Sequence, residues 1–206
     1  MAVLCVGITG GSASGKSRFT LALGEDLADL RVAILHQDRY FRDFEALGPE
    51  EAERQRTANS PPAVLWEPLV EHICTLRDGG SITYPVEGTR AHRRGTEPVT
   101  AGPVDVVLLE GHMIFWDERL RRMLDLRIFL DVDADERMLR RVIRDTTERG
   151  MSTVEAVAVW YRRDVEPNYP LYTEPARRHA HLIVPYGFDN KLAQTVVVAG
   201  IRTLLH

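Results

Sequence analysis

Apolar runs of strand length recur along the chain, and stretches with helical spacing separate them. Residues 3–8 read as a buried strand, and 16–30 as a helix with Phe19, Leu23 and Leu27 on one stripe. A second strand is expected over 31–36 and a helix over 68–80, stopped by Gly79 and Gly80. A very apolar strand over 104–109 ends at Glu110, and 126–132 forms another strand. A helix follows over 135–150, closed by Gly150, then a short strand over 181–185 and a last helix over 195–205. Strands that are apolar throughout, alternating with helices, predict a parallel sheet covered on both faces. Two polar stretches, 39–63 and 81–103, break the alternation and read as long loops or flaps, where binding residues tend to collect.

The 206 residues are 44% hydrophobic, enough for one substantial core with a small flap or lid. A net charge of −4 argues against a general nucleic-acid binder. Cys5 and Cys74, far apart, cannot form a disulfide framework, so reduced thiols and a cytoplasmic protein are expected. No run has the pattern of a signal peptide or the roughly 18 apolar residues of a membrane span.

The first strand breaks into "GGSASGKS", which fits G-x-x-x-x-G-K-[ST] at Gly10, Gly15, Lys16 and Ser17. With a strand before it and a helix after it, such a loop turns its amides inward on one anion, and the helix N-terminus adds positive charge there. Gly11, Ser12, Ala13, Ser14 and Arg18 complete the expected cradle for a nucleoside triphosphate, ATP or another NTP, with Lys16 on the β- and γ-phosphates and the Ser17 hydroxyl on Mg²⁺. No N-K-x-D guanine reader is present. Glu110, at a strand end, suits a second Mg²⁺ carboxylate. Asp38 ends the second strand on the side where parallel sheets bind ligands, and a carboxylate there could take the proton of an attacking hydroxyl. Arg137, Arg141 and Arg144 share a helix face, with Arg140 and Arg149 nearby, as a lid around a migrating phosphoryl group requires.

Taken together, "GITGGSASGKS", "QDRYF", "DVVLLEGH", "RIFLDVDADERMLRRVIRDTTERG" and "AHLIVPYGFDN" resemble, in order and spacing, the uridine/cytidine kinase branch of the phosphoribulokinase–uridine kinase family. The resemblance implies an α/β three-layer sandwich of P-loop NTPase type, with a five-stranded parallel sheet, a small β-flap near 81–103 and a helical lid near 140–153, in one domain. It implies a kinase that phosphorylates a nucleoside-like small acceptor and assembles as a dimer or tetramer. Asp38 would be the general base, Arg141, Arg144 and Arg149 the lid arginines, and Phe188 and Asn190 would hold the adenine. Asp38, Tyr40, Asn59, Tyr84, His92, Arg141 and Trp160 would meet the acceptor, with Thr89 and Arg90 as alternatives to His92.

Departures from the family pattern gather on that side. Asn59 stands where the family has an aspartate for the ribose hydroxyls, Pro85 and Val86 replace an aspartate and an aromatic, and Trp160 replaces a glutamine. The resemblance makes uridine or cytidine the first expected acceptor, and these departures imply an elevated KM for it or a different acceptor that outcompetes both. A sugar phosphate, nicotinamide riboside or pantothenate is the alternative, as is a nucleotide-binding regulator without kinase activity.

Overall fold

The computed structural model describes residues 2–46, 59–147 and 153–205. Strands β1 (Leu4–Gly10), β2 (Val32–His36), β5 (Val106–Glu110), β6 (Leu126–Asp131) and β7 (Leu182–Pro185) form one parallel sheet in the order β2-β5-β1-β6-β7. The short strands β3 (Ile82–Tyr84) and β4 (Val99–Ala101) pair antiparallel as a separate ribbon, in the region expected to be a flap.

Side chains alternate across each strand, so every central strand feeds two cores. From β1, Cys5 joins Leu35, Val107, Leu109 and Phe129 on one face, while Val6 and Ile8 join Leu108 and Ile128 on the other. The first face is closed by α2 (Trp66–Arg77), through Leu69, Ile73 and Leu76, and by Leu120 of α4 (Glu118–Met123). Phe19 and Leu23 of α1 (Lys16–Asp26) close the second, with Val197 and Ile201 of α7 (Lys191–Leu204). This is a three-layer α/β/α sandwich. Each fully buried leucine or phenylalanine contributes about 1.5–3 kcal/mol.

The stripe Phe19, Leu23 and Leu27 is wholly buried, although α1 ends at Asp26, short of the expected residue 30. The last helix begins four residues earlier than its apolar spacing suggests, because the Asn190 side chain caps it by accepting from the Ala193 amide at 3.0 Å. Helix α5 (Ala134–Thr147) matches the arginine-rich segment, and α6 (Val154–Trp160) follows it, capped by Thr153. Wide i→i+5 turns at Tyr161–Val165 and Tyr169–Thr173 continue from α6. Among the described residues, no helix is long and apolar enough to cross a membrane.

Three segments tie the flap to the sheet. Phe41 bridges to Val64, Arg42 bridges to Thr89, and the Arg90 amide donates to the Phe41 carbonyl at 2.9 Å. These contacts dock the short helix α3 (Arg90–Arg93) against the segment that follows β2, which carries Asp38.

Candidate phosphoryl-transfer site

All five strands of the sheet point their C-terminal ends at one cavity of about 680 Å³. Ser12, Ala13, Gly15, Lys16, Ser17 and Arg18 form one wall. The loop turns through positive φ at Gly10 (147°), Ala13 (64°) and Gly15 (87°). Glycine accepts such angles freely; Ala13 holds one at a cost, as backbone at ligand clamps often does. A Cβ on Gly15 would come within 2.9 Å of Phe188, so the loop and the Gly187–Asp189 turn fit only with glycine there. Gly10, Gly11 and Ser14 are buried behind the wall rather than lining it.

Lys16 Nζ donates to the carbonyls of Gly10 at 3.0 Å and Gly11 at 2.9 Å. Desolvation pulls its pKa down, the Glu110 and Asp38 charges pull it up, and Arg137 and Arg144 add to the lowering. The net shift is downward. Glu110 Oε1 accepts from the Ser17 hydroxyl at 3.0 Å and lies 2.7 Å from His36 Nδ1. Burial alone would raise the Glu110 pKa, but the His36 hydrogen bond, Lys16 and Ser17 outweigh it and leave the carboxyl below its usual value. A hydroxyl and a carboxylate this close, both oxygen donors, fit a Mg²⁺ ion that takes its other ligands from phosphates and water. Asp38, in the turn Gln37–Tyr40, lines the cavity across from this group. Its neighbour Gln37 is fully buried and accepts from the Met113 amide at 3.0 Å, which fixes the Asp38 turn to the loop after Glu110.

The arginines of α5 separate into different roles. Arg137 packs beneath Gly11, donates to the Val132 carbonyl at 3.0 Å and lies 4.2 Å from the Tyr169 ring centre, so it supports the loop from behind. Arg141 and Arg144 line the cavity. Both pair with buried Asp145, Arg141 at 3.1 Å and Arg144 at 2.8 Å. Arg141 also donates to Ser12 Oγ at 2.5 Å. Arg149, the third expected lid arginine, lies outside the described residues, as do 148–152 of the expected lid.

Of the residues expected to meet the acceptor, Asp38, Asn59, Arg141 and Trp160 line the cavity. Three other expected residues do not reach it. Tyr40 is 1% exposed, with its hydroxyl 2.8 Å from His72 Nδ1. Tyr84 is buried, and its hydroxyl donates to the Ile34 carbonyl at 3.3 Å. His92 is exposed on α3, and it is Arg90, the alternative, that faces the cavity. Asn190 is the cap of α7, whereas Phe188 lines the nucleotide end under the Arg18 guanidinium at 4.1 Å. Arg140, expected beside the other arginines of this helix, also lines the cavity, whereas His36, Phe41, His112 and Asp189 were not legible as site residues. His36 could have been found only from strand pairing, which sets it directly opposite Glu110.

A P-loop at the end of a central parallel strand, with a carboxylate over the phosphate site and arginines on a covering helix, defines a P-loop phosphotransferase. The model of the Phosphoribulokinase / Uridine kinase family matches residues 5–193, and the chain belongs to that family. A protein named uridine kinase from Alkaliphilus metalliredigens is 40% identical over 201 residues, 97% of this chain and 95% of that one. Another of that name, from Halalkalibacterium halodurans, is 35% identical over 98% of this chain and 95% of that one. In structure, phosphoribulokinase from Rhodobacter spheroides superposes with a TM-score of 0.62 at 16% identity, covering 87% of this chain and 68% of that one, and so shares the fold.

Proposed function

We propose that this chain transfers the γ-phosphoryl group of ATP to the 5′-hydroxyl of uridine or cytidine. One observation carries the reading: Asp38, Lys16 and Glu110 line a single cavity together with the phosphate loop and with Asn59, Arg90 and Trp160. Near full-length relatives named uridine kinase support the choice of acceptor. Phosphoryl transfer asks the protein mainly for positioning and for charge around the migrating group. The loop amides and Lys16 hold the triphosphate, with adenine toward Phe188 and Arg18. Ser17 and Glu110 would hold Mg²⁺, which neutralises phosphate charge when bound. Asp38 accepts the proton of the acceptor hydroxyl as its oxygen attacks the γ-phosphorus, and Arg141 and Arg144 offset the charge that spreads over the phosphoryl oxygens. We assign the enzyme to the cytoplasm, as a homo-oligomer.

A second reading keeps the chemistry and changes the acceptor. Arg90 is half-buried in the cavity wall, 5.0 Å from the Phe41 ring centre. It has no carboxylate within ion-pair distance among the described residues, and a cation so placed suits an anionic acceptor such as a sugar phosphate. Steady-state kinetics with ATP and Mg²⁺ on uridine, cytidine, nicotinamide riboside, ribulose 5-phosphate and pantothenate decide between the two. A specificity constant for uridine or cytidine at least tenfold above the others supports the first; the reverse order overturns it.

A further inference from the structure

Trp160, which the family resemblance places against the acceptor, has its ring face covered by another residue of the chain. The Arg141 guanidinium carbon lies 3.8 Å from the ring centre. The same guanidinium is held at its edges by Asp145 at 3.1 Å and by Ser12 Oγ at 2.5 Å, and the Arg141 side chain is 4% exposed. Ring below, carboxylate behind and loop hydroxyl ahead together fix the plane of the fork. A guanidinium is planar and donates only in that plane, so its orientation decides which oxygens it can serve. Ser12 belongs to the phosphate loop, and the fork is therefore aimed at that loop.

We propose that Trp160 is a positioning residue for Arg141: its ring sets the arginine's plane for the transferred phosphoryl group and does not stack the acceptor's base. The assignment deepens the kinase reading and rests on it for the reaction, though the contact itself can be tested apart from any activity. Arene and guanidinium attract each other most where water is excluded, as at this buried contact. A flat ring also blocks the rotamers through which an unstacked arginine would lose its aim. Leucine fills part of the space and supplies neither effect; phenylalanine supplies both in weaker form.

The test combines kinetics with spectroscopy. W160L should lower kcat about tenfold or more while the KM values for ATP and uridine change less than about threefold, and W160F should recover most of that loss. In an Arg141→Met background, W160L should cost less than about twofold further in kcat, because the two residues act as one unit. A rise in uridine KM with kcat preserved would assign Trp160 to the acceptor instead, and additive losses in the double variant would equally overturn the proposal. The chain has three tryptophans. With Trp66 and Trp116 replaced by phenylalanine, Arg141→Met should shift the remaining emission of Trp160; an unchanged spectrum would show that the contact is absent. If the wild type phosphorylates none of the nucleosides, the kinase reading fails, while the emission result still judges the contact.

Discussion

Asp145 is the carboxylate that Arg141 and Arg144 share, and its replacement by asparagine isolates charge from shape. The side chain is 2% exposed and pairs with Arg141, itself 4% exposed, and with Arg144, which is 27% exposed. Removing one member of a buried pair costs about 3–5 kcal/mol, because the other charge is left in a poor solvent. Arg144 can turn to water and adds little to that figure. Arg141 cannot, but it keeps Ser12 and the Trp160 ring, which places Asp145→Asn at the lower end, about 3 kcal/mol. For a chain of this size 1 kcal/mol moves Tm by about 2–4 °C, so a fall of roughly 6–12 °C is expected by calorimetry. Glu118→Gln is the control: its pair with Arg122 is exposed on both sides, and such i,i+4 pairs contribute only about 0.3–0.5 kcal/mol. The kcat of Asp145→Asn should fall as well, since the arginine that faces Ser12 loses its anchor. A Tm drop no larger than that of the control, with kcat intact, would refute the reasoning.

Lys16→Met should lower turnover by several orders of magnitude with Tm unchanged or raised, since burial works against the ammonium; a clear fall in Tm would show the lysine to be structural. Asn59→Asp, if this residue grips the ribose, should lower uridine KM about fivefold, a charged acceptor being roughly twice as strong as a neutral one; an unchanged or higher KM removes Asn59 from the ribose site. Hydrogen bonds from Arg202 and Arg31 hold Asp29 and Asp105 at a pKa of about 2, below the ordinary 3.8. A lowered carboxylate pKa stabilises the fold above about pH 4 and stops doing so as pH falls through 2. The stability gap between wild type and an Arg31→Gln/Arg202→Gln variant should thus be present at pH 6, close by pH 2 and shrink in 1 M salt. A gap independent of pH would assign it to packing.

The parts of the site that repeat a backbone requirement could be read from sequence. A loop that must curl needs Gly10 and Gly15, which appear as spacing, and Glu110 is marked by its place at the end of a very apolar strand. The alternation that feeds two cores from β1 and β5 is equally local. Residues brought in by pairing across the chain left no such mark. His36 meets Glu110 because β2 lies beside β5, and Arg90 enters the cavity because α3 is bonded to Phe41. Tyr40 and Tyr84 show the opposite error. The family resemblance set both against the acceptor, yet each turns into the core, where its hydroxyl finds an internal partner at His72 or Ile34.

The hydrogen-bond partners of Lys16 and Arg141 show how the phosphate loop directs its cations. Lys16 is bonded to the carbonyls of Gly10 and Gly11, and Arg141 to the hydroxyl of Ser12. These acceptors are all neutral, and all belong to the loop that phosphate must enter. Asp38 and Glu110 lie close enough to raise the Lys16 pKa against the lowering that burial imposes. The neutral loop acceptors satisfy donors that would cost about 1–3 kcal/mol each if left unmade, and they are weaker partners than a charged oxygen would be. Asp145 completes the scheme from behind, since it anchors Arg141 without occupying the side that faces the loop. The loop's own oxygens therefore fix the direction of both cations.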